Sequence, residues 1–485
     1  MYFALRVIEK LFIIYFSLYL IIDVLLYANA LFYFFIRSKR KKPKPPHDYR
    51  RYPISIIVPA YNEEVSIITC VENLLKLDYP AYQVIVVNDG SKDGTIPKLL
   101  HHFETKPTTL VPEVRALPTQ KIRAVYRLKD TEKLLIIDKD NGGKADAINA
   151  GINYASGKYI CTIDADSVLD PDALKEVVTP FIEHPETIVA GGQLAVANDV
   201  TIVNNRVQSA RVPRNIWVQW QINEYIKSFM ISRIGLSKVN ALLIMSGAFS
   251  LFKKQDLDNV GGFLTPINTS PYILKNVGRG KQTVCEDMEI VVRLWKYKRD
   301  QKQNARAAFV PEAVLWTEVP ENAKSLFRQR SRWHQGLAET LRFYYNAVFE
   351  PRYGATGMLA LPYYFLFELL SPIIKVLALI FIFIAGYYGL FNTQWVLLLL
   401  AGILLTTAII MSSITVLLEY WSKQHTETTR NALRYKSFTD WLWLLLAGIL
   451  SEFTYAFFKI AAQLDGIKNF LKKNHDWRKF DRKGI

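Results

Sequence analysis

The amino-acid sequence predicts an α/β domain carried between apolar helical segments that cross a membrane. Three observations predict it. From Tyr52 to about Glu350, short apolar strands alternate with helical stretches, the pattern of a mostly parallel sheet covered on both faces. Polar and charged side chains fall at or just after the strand ends, where such sheets bind ligands. Apolar runs long enough to span a bilayer lie near both ends of the 485-residue chain.

Residues 11–36 form the first apolar run, with Asp23 as its only charge. It is too long for a cleaved signal peptide, and no small-residue cleavage site follows it. The segment RSKRKKPKPPHDYRR then carries eight Lys or Arg against one Asp. The positive-inside rule places that flank in the cytoplasm, where it also suits an anionic lipid surface. Residues 361–390 and 395–418 are two further apolar runs, joined by the uncharged FNTQ. Residues 439–458 are a weaker third. Three further spans would leave the basic tail GIKNFLKKNHDWRKFDRKGI outside, so the third segment is read as interfacial or re-entrant. The expected organisation is a first span (1–37), a basic linker (38–51), an α/β domain (52–320), an amphipathic interface helix (321–350), membrane or interfacial helices (351–465) and a basic tail (466–485).

The net charge of +16 fits a membrane surface and anionic ligands. No basic motif interleaved with aromatics favours nucleic acid. Three scattered cysteines, Cys70, Cys161 and Cys285, fit a reducing compartment without disulfides or a zinc site.

Within the α/β domain, residues 54–58 read as a strand, followed by PAYNEE with Tyr61 and Glu63. Val65, Ile68, Val71, Leu74 and Leu75 give residues 65–77 helical spacing. Residues 83–87 form the next strand, NDGSKDGT follows, and another helix starts near Thr95. Residues 122–126 and 134–137 read as strands. NGGKADAINAGINYASG opens a helix that Gly157 is expected to close. Residues 159–163 are a further strand.

The candidate site residues each admit two readings. Asp89, before Gly90, suits a simple turn, or a carboxylate on a nucleotide base or ribose. Lys144 follows two glycines at a helix opening, where backbone approaches ligands and phosphate is favoured. It is not a GxxxxGK[ST] phosphate loop, and a solvated lysine after a turn fits as well. Asp164 and Asp166 follow an apolar strand, and alternate residues of an extended segment share a face. Either they mark a turn, or they hold a cation such as magnesium together with substrate phosphates. Glu286 and Asp287 suit a helix start for dipole reasons, or one of them is a general base. In QRSRW, Arg332 suits a diphosphate and Trp333 a sugar ring; a basic helix lying on lipid, with Arg328, Arg330 and Arg332, is the other reading. Asp23, Glu368 and Lys375 either line a polar path through the membrane or lie near its surface.

Taken together and in order, VPAYNEE, VVNDGSKDGT, NGGKADAINAG, DAD, SGAF, ED and QRSRW resemble the membrane-embedded members of glycosyltransferase family 2. That group includes cellulose, hyaluronan, chitin and poly-N-acetylglucosamine synthases. The resemblance covers nearly the whole chain and implies a GT-A (Rossmann-like) catalytic domain on the cytoplasmic face of a bacterial plasma membrane. It implies that Asp89 contacts the uridine of a UDP-sugar donor, with Tyr61 and Glu63 in the matching first loop and Lys144 in the donor-binding loop. Asp164 would lie near the nucleotide, and Asp166 would ligate Mg or Mn. Asp287 would be the general base, with Glu286 beside it. Gln329, Arg332 and Trp333 would bind the diphosphate and the acceptor end of the glycan. Ser246 and Gly247 would belong to the acceptor site. Cys285 departs from the Thr that often precedes ED, and no FxVTxK gating-loop motif is found, which weighs against cellulose. The implied activity is inverting, metal-dependent transfer to a growing β-linked polysaccharide, processive and coupled to export. The alternative is a single transfer to a lipid acceptor. A transporter or scaffold with a degenerate domain is the third reading, and the intact DAD, ED and QRSRW argue against it.

Overall fold

A computed structural model describes residues 2–39, 48–112, 116–129, 132–203, 206–424 and 437–474. Most of the basic linker and the end of the basic tail lie outside the described residues. After helix α1 (Tyr2–Lys39), the chain forms β1 (Ile54–Ala60), α2 (Ile67–Leu75), β2 (Tyr82–Asp89), α3 (Thr95–His102), β3 (Thr105–Pro107), β4 (Ile122–Leu128), β5 (Leu134–Lys139), α4 (Lys144–Asn153) and β6 (Tyr159–Ile163). It continues through β7 (Ser167–Leu169), α5 (Ala173–Glu183), β8 (Thr187–Val196), the hairpin β9 (Val200–Val203) and β10 (Arg206–Ala210), α6 (Ile216–Glu224) and α7 (Ser232–Lys238). Next come β11 (Phe249–Lys253), α8 (Lys254–Val260), α9 (Pro271–Asn276), α10 (Glu286–Asp300), β12 (Arg306–Thr317) and α11 (Ala323–Phe343). The C-terminal helices are α12 (Leu361–Tyr363), α13 (Ser371–Tyr387), α14 (Thr393–Gln424), α15 (Phe438–Phe453) and α16 (Tyr455–Lys472).

Ten strands form one sheet in the order β3-β4-β5-β2-β1-β6-β11-β8-β12-β7. Its centre, β5-β2-β1-β6, is parallel, as the alternation of strands and helices requires. The flanks are not purely parallel. β4 pairs antiparallel with β5 because residues 129–133 are too few for a helical crossover. β11 runs antiparallel between β6 and β8. Both faces are covered, so the central strands are apolar throughout: Ile54, Ile56, Ile57 and Val58 of β1 are all buried. On α2, Ile67, Cys70, Val71 and Leu74 form the buried stripe that packs there. Each such side chain contributes about 1.5–3 kcal/mol on burial.

The helix opened by NGGK ends at Asn153, not at Gly157. Gly157 has another task. A side chain there would collide with the backbone of Ile54 and Ser55, and its own N–H donates to Ser55 Oγ at 2.9 Å. Glycine was needed for close approach to β1, and the stop signal was misplaced by four residues.

Among the described residues two helical segments, Tyr2–Ile36 and Thr393–Leu417, are long and apolar enough to cross a membrane. Leu11, Ile13, Leu25, Leu398 and Leu399 on them are exposed, as lipid-facing side chains would be. The run expected as one span at 361–390 is bent by 48° between Thr356–Leu369 and Ser371–Tyr387. Wide π-helical turns at Thr356–Ala360 and Tyr364–Leu369, then Pro372, account for the break. The weaker C-terminal segment is also broken, by 53° between α15 and α16. Such a bend belongs to a broken span or a re-entrant loop.

α10 and α11 are fastened by a buried polar triad. Arg293 Nη2 donates to Glu289 Oε2 at 2.8 Å, and Nη1 to the Val260 carbonyl at 2.8 Å. Tyr344, at the end of α11, donates to Glu289 Oε1 at 2.6 Å. Arg293→Met should leave Glu289 as a buried carboxylate without its cation, though still bonded by Tyr344, and cost about 3–5 kcal/mol. Thermal unfolding of the detergent-purified protein should report a clear fall in Tm; an unchanged Tm would mean that the pair contributes nothing.

Candidate functional site

The strand ends of the parallel centre open onto a cavity of about 2,100 Å³. Tyr61, Glu63, Asp89, Lys144, Asp164, Ser246, Gly247, Glu286, Asp287, Gln329, Arg332 and Trp333 all line it. Thus twelve of the thirteen residues to which the family resemblance gives a role come together, from seven parts of the chain. Asp166 does not line the cavity; it is buried beside it.

Asp89 ends β2 and anchors the glycine loop. Its Oδ1 accepts from Lys139 Nζ at 2.6 Å and from the Gly142 N–H at 2.9 Å. Its Oδ2 accepts from the Gly143 N–H at 2.8 Å and from Asn141 Nδ2 at 3.1 Å. Lys139 is fully buried and also pairs with Asp146 of α4 at 2.6 Å. Gly143 adopts φ +88°, a conformation that side-chain-bearing residues rarely take. The first loop is tied to the second in the same way: Asn62 N–H donates to Ser91 Oγ at 2.9 Å, and Asn62 Oδ1 accepts from the Lys92 N–H at 2.8 Å.

Asp164 and Asp166 do not lie on one side of an extended segment. They occupy a turn between β6 and β7, closed by the Ser167 N–H on the Asp164 carbonyl at 3.2 Å. The alternation that pairs i and i+2 fails in a turn, so the carboxylates part. Asp164 faces the cavity and binds Lys144 Nζ at 2.7 Å. Asp166 stays buried, its Oδ1 accepting from Ser167 Oγ at 3.3 Å. Among the described residues no three His, Cys, Asp or Glu side chains converge as a ready-made metal cage. The two carboxylates of the turn are an oxygen-only donor set, suited to a hard cation that takes one or two carboxylates plus ligand phosphates.

Glu286 and Asp287 open α10. Asp287 Oδ2 accepts from the Gly247 N–H at 2.9 Å and Oδ1 from the Met288 N–H at 2.9 Å. Burial and the adjacent Glu286 push its carboxyl above the ordinary range, against the pull of Lys144 and the Gly247 N–H. Lys144 lies 3.3 Å from Glu286 and donates to the Gly247 carbonyl at 3.3 Å. Burial alone would lower its pKa, but Asp164 and Glu286 hold it above the ordinary value. A Cβ on Gly247 would sit 3.1 Å from Lys144 Nζ and 3.2 Å from Asp287 Oδ2, so glycine is what lets both groups approach.

α11 brings QRSRW to the same cavity. Arg332 makes no hydrogen bond or ion pair from its guanidinium among the described residues, although the side chain lines the cavity. Arg330 points inward rather than onto lipid: it pairs with Glu224, Nε to Oε2 at 3.0 Å, and lies 4.1 Å from the centre of the Trp333 ring. Glu224 also binds Lys459 at 2.9 Å and accepts from Tyr455 at 2.8 Å. Burial would raise its carboxyl, yet Arg330 and Lys459 hold it down at about 2. At Gly336, α11 leaves room for Cys285, which a Cβ would strike. The sequence reading did not single out Lys139 or Glu224, and it named Arg330 only as part of a helix lying on lipid. A signal existed for two of them: Lys139 is in phase with Leu135 and Ile137, and Arg330 with Leu326, Leu337 and Leu341, all on apolar faces.

The cavity continues between the membrane segments, where Asp23, Lys227, Glu368, Lys375 and Glu452 line it. Lys227 pairs with Glu452 at 3.1 Å, Tyr363 donates to Glu368 at 3.0 Å, and Lys375 lies 5.0 Å from the centre of the Tyr19 ring. Asp23, Glu368 and Lys375 thus all line the cavity, and none of the three forms an ion pair with another among the described residues.

Comparison with known proteins places this geometry. Residues 51–336, more than half of the chain, match the family described as glycosyltransferase like family 2. The poly-beta-1,6-N-acetyl-D-glucosamine synthase of Staphylococcus epidermidis is 26% identical over 318 residues, 65% of this chain and 62% of that protein. The enzyme of the same name from Staphylococcus aureus (strain COL) is 26% identical over 319 residues, again 65% and 62%. The match thus spans less than two thirds of these relatives. Among solved structures, a mannosyltransferase from Pyrobaculum calidifontis, in complex with GDP-Man and Mn2+, superposes with a TM-score of 0.50 at 18% identity, covering 90% of this chain and 99% of that one. At that identity the likeness establishes the GT-A fold alone. The chain, with its mixed sheet, strand-end cavity and matched segment, belongs to glycosyltransferase family 2.

Proposed function

We propose that this chain transfers a sugar from a UDP-sugar to the end of a β-linked glycan, with inversion, and passes the product along the cavity between its membrane helices. The observation that carries the reading is the continuity of that cavity, with the strand-end acids at one end and Asp23, Glu368 and Lys375 at the other. The names of the Staphylococcus relatives support N-acetylglucosamine as the sugar. The catalytic side faces the cytoplasm, where the basic segment after α1 would also lie.

In this mechanism Asp287 takes the proton from an acceptor hydroxyl. The hydroxyl oxygen attacks the anomeric carbon on the face opposite UDP, through an oxocarbenium-like transition state. The bond from that carbon to the UDP oxygen breaks, and UDP leaves with the electron pair. Gly247 and Met288 N–H groups aim the Asp287 carboxylate, and its raised pKa makes it a stronger base than an ordinary aspartate. Arg332, whose guanidinium is uncommitted among the described residues, would receive the diphosphate, and Trp333 would present its ring to the acceptor sugar. Asp166, with Asp164 on the cavity side of the same turn, would hold a Mg or Mn ion. When bound, that ion neutralises charge on the leaving diphosphate. Tyr61, Glu63 and Asp89 border the nucleotide end, Asp89 through the loop that it anchors. Ser246, Gly247, Glu286 and Gln329 border the acceptor.

A second reading, single transfer to a lipid-linked acceptor, is favoured by Phe12, Phe16 and Phe381, which give the membrane part of the cavity an apolar wall. Product length decides between them. Incubation with radiolabelled UDP-sugar followed by gel filtration should yield polymer; a labelled product confined to a single-sugar lipid would establish the second reading.

Asp287→Asn should lower transfer about 10²–10⁴-fold while UDP binding, measured by calorimetry, stays near wild type. Near-wild-type transfer by the purified variant would remove Asp287 from the role of base. The base form is lost as pH falls through the raised pKa. The acid limb of kcat/KM should therefore lie above the ordinary aspartate value of about 3.9. A limb at or below that value would contradict the assignment.

A further inference from the structure

Lys144 is the cation at the meeting point of the three acidic side chains that face one another in the site. Its ammonium bridges Asp164 of the β6–β7 turn at 2.7 Å and Glu286 of α10 at 3.3 Å. It also holds the Gly247 carbonyl at 3.3 Å, and the N–H of the same residue holds Asp287. The lysine thus joins the turn that carries the proposed metal ligands to the helix that carries the proposed base. Its stem is long, and its side chain is 34% exposed to the cavity. Beside it, Gly143 has open space: a Cβ there would meet nothing within 4 Å. A neighbouring ligand therefore has room there, and Lys144 itself borders the open cavity. A divalent cation on this turn would face an ammonium already bound to Asp164. Two cations at one carboxylate repel strongly, unless an anion arrives with the second.

On the reading of the site given above, we propose that Lys144 is the internal counter-cation of the donor-free enzyme. It occupies Asp164 and Glu286 until a nucleoside diphosphate draws it away, so that metal and nucleotide enter together. The diphosphate supplies the negative charge that lets both cations stay. Lys144 then turns from the carboxylates toward the phosphates, and the turn is released to the metal. Free metal ion in the absence of nucleotide is kept out.

Binding of Mn2+ to the full-length, detergent-purified protein tests this, with free Mn2+ followed by electron paramagnetic resonance and with UDP present or absent. The wild type should take up Mn2+ at least about tenfold more tightly with UDP than without it. Lys144→Met and Lys144→Gln should each tighten nucleotide-free Mn2+ binding at least about tenfold, while Lys144→Arg should resemble the wild type. If either neutral variant, folded by circular dichroism, keeps the weak nucleotide-free binding while UDP still promotes uptake by the wild type, the counter-cation role is wrong and the donor site stands. Equal wild-type affinity with and without UDP also overturns it, and needs no variant to fold. Absence of Mn2+ uptake by the wild type even with UDP would instead overturn the reading of the site itself.

Discussion

Four hydrogen bonds converge on one buried carboxylate, that of Asp89, and the site is built outward from it. Two come from backbone N–H groups of the glycine loop, one from an amide side chain and one from a lysine with no exposed surface. Hydrogen bonds to a charged group contribute about 1.5–3 kcal/mol each, well above neutral ones. Their joint effect is positional. The loop between β5 and α4 is held against the end of β2, and Lys144 leaves that loop at a defined place. Lys139 extends the same bracket to Asp146, so the first turn of α4 cannot shift without separating buried charges.

A second bracket holds the opposite wall. Glu224 gathers Arg330, Lys459 and Tyr455, from α11 and α16, onto one carboxylate of α6. Arg330 in turn lies over the Trp333 ring. Ser331 donates to Asp465 at 2.8 Å, and Gly466 lets α16 approach the Ser331 carbonyl closely. The helix that carries QRSRW is therefore shared between the sheet domain and the C-terminal helices. A cavity that runs from one to the other is a direct outcome of that sharing.

Much of this was legible in the sequence, for physical reasons. β1, β2, β5 and β6 are buried on both faces, so their apolar runs stood out, and polar residues at their ends marked one edge of the sheet. β11 and β12 were not legible, because nothing in their own residues announces which partner they pair with or in which direction. The turn at Asp164 looked like a strand, since a two-residue spacing of acids is the same in either; only the Ser167 N–H on the Asp164 carbonyl separates them. Lys139 and Arg330 carry charge on otherwise apolar faces, and their partners, Asp146 and Glu224, are remote enough in pattern to escape a local reading. The membrane runs were evident from composition, but the bend at Leu370 follows a π-helical turn, and the one at Thr454 falls where α16 begins to pack against α11.

The contact between Cys285 and Gly336 has a consequence for how this chain can vary. Cys285 precedes the Glu286–Asp287 pair, and its side chain fills the space that a Cβ at position 336 would need. The two positions share one volume, one on the connection into α10 and the other on α11. A larger residue at either is tolerated only if the other gives ground, and 336 has nothing left to lose. Divergence at position 285 is thereby confined to small side chains, while the chemistry one residue away is free of that limit. Added volume at 285 has therefore to be met by movement of α11, although the two positions lie far apart in sequence.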